Sequence, residues 1–190
     1  MNKYDKGEYG YLNAYKREKL IITLILAAMI EIIVISLMLK FGDTKRVFVV
    51  FAILLSLPLA KFFIAFVMSY KFKSLSKEQY NMIISNKNEN GIYLFDIMAS
   101  QYEGIRFFQS VCVINNNVFG LALDKKYPLE KKEYEKWLKK SFEDSKYEYN
   151  VIIAGDVDEY ISLIANVEAP DDKVKLIDKH ITERILDIGV

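Results

Sequence analysis

Two long apolar runs, Leu20 to Leu39 and Val47 to Ser69, separated by only the seven residues Lys40 to Arg46, constrain this chain more than any other feature. Each is close to the ~20 residues that an α-helix needs to cross the hydrocarbon layer of a bilayer. Helices apolar on every face are hard to place inside a globular chain of 190 residues, so residues 20–73 are read as a transmembrane helical hairpin, with spans 20–39 and 47–69. Nineteen mostly polar residues precede the first run, which is too long for a signal core and is followed by no small-x-small cleavage site. The first run is therefore expected to remain as an anchor, with residues 1–19 as a cytoplasmic juxtamembrane segment.

The basic residues set the expected topology. Lys3, Lys6, Lys16, Arg17 and Lys19 precede the first run and Lys71, Lys73, Lys77 and Lys87 follow the second, against Lys40, Lys45 and Arg46 in the loop. Both termini should face the cytoplasm, with Tyr15 and Tyr70 at the interface. Lys outnumbers Arg twenty-two to four beside abundant Ile, Asn and Tyr, a bias of AT-rich bacterial genomes, so the expected location is a bacterial plasma membrane.

Charge divides at the membrane exit. Residues 1–73 carry eleven Lys or Arg against five Asp or Glu, and residues 74–190 carry fifteen against twenty. The basic part suits an anionic lipid surface, whereas the acidic part offers nucleic acid no general attraction, and nucleic acid is not expected as a partner. A single cysteine, Cys112, forms no intramolecular disulfide and suits a reducing compartment.

Residues 74–190 are long enough for one α/β domain with its own core, expected to fold alone. Ser74 to Ser85 reads as a helix ended by the polar turn Asn86 to Gly91. Ile92 to Met98, Ile105 to Ile114 and Val118 to Asp124 read as a three-strand meander, with Asn115, Asn116 and Asn117, tolerant of positive φ, in the second turn. After Pro128, Tyr134, Trp137, Leu138 and Phe142 recur at helical spacing. Lys132, Lys136, Lys139 and Lys140 lie on its other faces among Glu130, Glu133, Glu135 and Glu143, the pattern of a solvated face rather than a phosphate site. Tyr149 to Ala154 reads as a buried strand, followed by a helix through Tyr160, Ile161 and Ile164 capped by Asp156 or Asp158. A last helix, capped by Asp171 or Asp172, carries Val174, Ile177, Ile181 and Ile185.

Over residues 75 to about 155, the order helix, three-strand meander, helix, strand resembles the core of the restriction-endonuclease-like nucleases. That resemblance implies an acidic residue on the second strand and an Asp or Glu, any residue, Lys triplet on the third, together holding Mg²⁺ or Mn²⁺ and activating water. Asp124, Lys125 and Lys126 match the triplet. The family's spacing reaches Gln109 on the second strand, and a neutral amide supplies no charge for a hard cation; Asp96 or Glu103 could substitute only in a different geometry. Gly120, Ala122 and Asp124 share a strand face, whose small residues either open space for a ligand or admit a close-packed helix.

Other chemistry is sparse. His180 lies among charged residues on the last helix and reads as a surface residue. Gly155 and Asp156, between a strand and a helix, read as a helix cap before a ligand site. No metal-ligand cluster, phosphate loop or Gly-flanked nucleophile occurs in the sequence. In the hairpin, Glu31 and Lys61 fall ~16 and ~14 Å deep when counted from the cytoplasmic ends of the runs, and are expected to pair and fix the hairpin. A proton or ion site is the alternative, requiring oligomers or a partner. Thr23 and Ala27 share the Glu31 stripe, Ala52, Ser56 and Ala60 recur beside Lys61, and Pro58 can kink the second helix. The expected protein is thus a membrane-anchored α/β module that binds or scaffolds without a cofactor. A protein partner or self-association through the hairpin is expected, and a tethered metal-dependent nuclease or nuclease-derived nucleic-acid binder is the alternative.

Overall fold

The computed structural model describes residues 4–41, 45–101, 104–123, 131–140 and 149–189, with side chains throughout except at 37, 40–41, 45–49, 51–52 and 101. Asp124, Lys125, Lys126, Glu103 and Phe142 lie outside the described residues. Two compact units result: Met1–Asn2 with Asn13–Phe72, and Lys3–Leu12 with Lys73–Val190.

The first unit is a pair of helices, α1 (Tyr11–Phe41, whose first two residues belong to the second unit) and α2 (Lys45–Tyr70, running through Pro58). Tyr11–Ser36 and Ile53–Tyr70 are long and apolar enough to cross a membrane. Their large apolar side chains are turned outward: Ile32, Leu57 and Leu39 keep 64%, 66% and 83% of their surface exposed. The helices run antiparallel, with the Lys19 ammonium 5.6 Å from the Phe62 ring and Lys16 donating to the Tyr70 and Phe72 carbonyls. Lys16 thereby satisfies carbonyls at the end of α2 that lack intrahelical donors.

The second unit is a three-layer α/β sandwich. Its elements are α3 (Lys77–Ser85), β1 (Ile92–Gln101), β2 (Gly104–Ile114), β3 (Asn117–Leu121), α4 (Lys131–Lys140), β4 (Asn150–Ala154), α5 (Val157–Ala165) and α6 (Asp172–Ile188). The sheet order is β1-β2-β3-β4, with an antiparallel meander and β4 parallel to β3 across the α4 crossover. Tyr134, Trp137 and Leu138 of α4 and Ile181 and Ile185 of α6 cover one face; Ile83 of α3 and Val157, Tyr160 and Ile164 of α5 cover the other. The expected fold class and element order hold, and the bounds shift. Ser76 caps α3 in a reciprocal box with Gln79, so Ser74 lies before the helix. β1 extends past Met98 to Gln101, and β3 ends at Leu121.

The β2–β3 turn is a two-residue one. Asn115 and Asn116 have φ of 49° and 58°, the type I′ geometry that matches strand twist, and Asn117 already pairs with Ile114. Asp178 of α6, itself buried, accepts from the backbone N–H of Asn115 at 2.8 Å and of Asn116 at 2.9 Å. At the β4–α5 junction Asp156, not Asp158, is the cap, accepting from Glu159 N at 2.7 Å. Asp171 occupies the N-cap of α6 but makes no side-chain cap bond, so the capping expected there is not realised through its carboxylate.

Candidate functional site

The irregular point of the sheet lies where Asp96 stands opposite Gln109. Pairing continues on either side, Phe95 with Ser110 and Ile97 with Phe108, but skips these two residues. Leu94 and Ile97 face the same core, as do Phe108 and Val111, so the alternation of faces slips by one residue in both strands at once and register survives. Asp96 absorbs the slip with φ of 54°, a left-handed conformation that Asp tolerates better than bulky residues.

Both side chains are buried, and both hydrogen-bond to other parts of the chain. Asp96 Oδ2 accepts from Gly10 N at 2.9 Å, Leu12 N at 3.3 Å and Ser74 Oγ at 3.0 Å, and so caps the first turn of α1. Gln109 accepts from Leu123 N at 2.9 Å and donates to Lys73 O at 3.5 Å. A carboxylate at 109 could take the first bond but not give the second. The segments flanking the helical pair, residues 10–12 and 73–74, therefore meet at one place in the sheet, and Gln109 also holds the chain leaving β3.

The N-terminal segment reinforces this junction. Gly7 O accepts from Phe95 N at 2.8 Å, and Tyr9 stacks on Tyr80 with ring centroids 4.1 Å apart while donating to Leu75 O. Burial, then the charge of Asp96, raises the Tyr9 hydroxyl pKa above its ordinary value. Lys6 donates to the carbonyls of Leu186 and Gly189, closing the end of α6. Residues 4–12 of the segment read from sequence as juxtamembrane thus group with the α/β unit, and residues 13–19 with the helices. Gly7 and Gly10, both at φ near +90°, were the sequence signal for ordered turns there.

The remaining candidates are placed as follows. Gly120 opens no ligand space: a Cβ there would meet Ile153 Cδ1 at 2.7 Å and Phe108 Cδ1 at 3.1 Å. Gly155 donates to Glu159, which also accepts from Lys131, so this strand-to-helix corner is filled by its own side chains. His180 is exposed on α6. Cys112 is fully buried, and burial pushes its thiol up to about 12. No group of three or more His, Cys, Asp or Glu able to hold a metal occurs among the described residues.

Glu31 and Lys61 both lie on the helical pair. Both are exposed, and among the described residues no hydrogen bond or ion pair joins them. Among the described residues of α2, Leu55, Leu59, Phe62, Ala65 and Phe66 are half-buried, while Ser56 and Ala60 are exposed beside Lys61. Compared with protein-family models, curated proteins and solved structures, the chain matches none.

Proposed function

We propose that the chain is an integral protein of a bacterial plasma membrane, with both termini cytoplasmic, whose α/β unit binds or scaffolds a protein partner at the inner face without catalysis. The observation that carries the anchoring is the outward display of apolar side chains along both helices, a surface that lipid accommodates and water penalises at roughly 25 cal/mol per Å². The non-catalytic reading is supported by the use of Asp96 and Gln109: three donors on one carboxylate oxygen and an amide working in both directions are structural duties. The tethered-nuclease alternative, with Mg²⁺ or Mn²⁺, is favoured by the helix, meander, helix, strand order and by Asp124 with Lys126.

Labelling of single cysteines at Asn2, Asp43 and Gly189 in a Cys112→Ala background tests the anchoring in intact cells. A membrane-impermeant maleimide should reach position 43 only. Labelling of position 2 or 189 from outside rejects this topology.

A further inference from the structure

We propose that Glu31 of one chain pairs with Lys61 of a second copy within the membrane, joining hairpins head to tail. The inference rests on the membrane-spanning reading. Both charged side chains are exposed on the helical pair, where lipid would surround them singly, and charges at such depth are expected to find a partner. Glu31 lies ten residues before the end of α1 at Phe41 and Lys61 sixteen after the start of α2 at Lys45, so at ~1.5 Å per residue Lys61 sits ~9 Å farther from the loop. Each Cα–Cβ bond tilts toward its own helix N-terminus. On antiparallel helices this leans Glu31 away from the loop and Lys61 toward it, so the two ends converge in depth.

A second copy inserted with the same topology presents the opposite charge at the same converging level. The half-buried stripes of the antiparallel helices put Glu31 and Lys61 on opposite sides of the pair, so copies join head to tail, Glu31 of one to Lys61 of the next. The exposed faces permit close approach: Ser56 and Ala60, one turn apart, flank Lys61, and exposed Ala28 precedes Glu31 by three residues. Charge complementarity thus commits these two faces to further copies of the same chain.

The test uses full-length chains carrying two different tags, co-expressed, solubilised in mild detergent and captured through one tag. Co-capture of wild type should fall roughly tenfold when both copies are E31Q or both are K61M. Mixing E31Q with K61M restores one intermolecular pair, and co-capture should rise severalfold above either variant alone. Equal capture of all combinations overturns the pairing; so does a mixture no better than the single variants. Retention of each variant in alkaline-washed membranes is measured in parallel. Release of the wild-type chain by that wash overturns the membrane reading itself, a result distinct from loss of co-capture.

Discussion

Gln109 stands opposite Asp96 at the one level where β1 and β2 both lose their alternation, and each side chain turns to hold chain from elsewhere rather than its neighbour. Asp96 →Ala should strand two backbone amides and a hydroxyl and destabilise the unit by about 3 kcal/mol, since each buried orphan costs ~1–3 kcal/mol. Gln109→Glu should cost about 2 kcal/mol, because it loses the donor to Lys73 and places a carboxylate at a buried position. Thermal unfolding of the purified variants measures both. A Gln109→Glu variant as stable as wild type would refute the two-way role of the amide.

Residues 13–72 should be replaceable. Gly10, Leu12 and Ser74 share one carboxylate oxygen, so a short Gly/Ser linker from Leu12 to Lys73 closes the α/β unit without the helices. That linked protein should melt at least about 10 °C above a fragment of residues 74–190, which lacks the Gly7, Gly10 and Leu12 bonds. Equal melting temperatures would show that the N-terminal segment adds nothing.

Asp178→Ala should cost about 2–4 kcal/mol by orphaning the amides of Asn115 and Asn116, and Asp178→Asn about half as much, because one amide oxygen remains to accept. Asn116→Gly should change stability by less than about 0.5 kcal/mol, since glycine adopts positive φ freely. Denaturant melts provide the comparison.

Alkali should unfold the α/β unit in a defined window. Cys112 is raised from 9.0 to about 12 chiefly by burial, and the fully buried Tyr160 is raised above 10.0 for the same reason. Both are neutral when protonated, so their contribution is complete below pH 9.0 and is lost as pH rises, Cys112 between 9.0 and about 12 and Tyr160 beyond 10.0. Cys112→Ala should remove the first part of that loss. The native thiol should also resist a disulfide reagent at pH 8 until denaturant is added.

The detergent-solubilised full-length protein should cleave neither DNA nor RNA with Mg²⁺ or Mn²⁺ above an Asp124→Ala control. Cleavage abolished by that substitution would establish the nuclease instead.

Features built from neighbours in sequence were legible. Tyr134, Trp137 and Leu138 fall at helical spacing and do form the buried face of α4, the Asn115–Asn116 pair does turn the hairpin, and Asp156 does cap α5. What was illegible depends on long separations. A carboxylate in a strand reads as a ligand, and nothing local shows that Asp96 binds amides 84 and 86 residues away. The polar N-terminal segment reads as a tail because its partners, Phe95, Tyr80 and the end of α6, lie far along the chain. The matched depth of Glu31 and Lys61 came from counting from the ends of the apolar runs; helix α1 begins nine residues earlier, at Tyr11, and counting from the loop separates them.

Lys6 closes the end of α6 through Gly189, 183 positions later, and this orders events during synthesis. At ~5–20 residues per second, the N-terminal segment is made roughly 10–40 s before the carbonyl it binds. Both apolar helices are complete well within that interval. The α/β unit cannot finish folding until residue 189 has been made, so its first strands wait with their edges open and are a natural client for chaperones during that time.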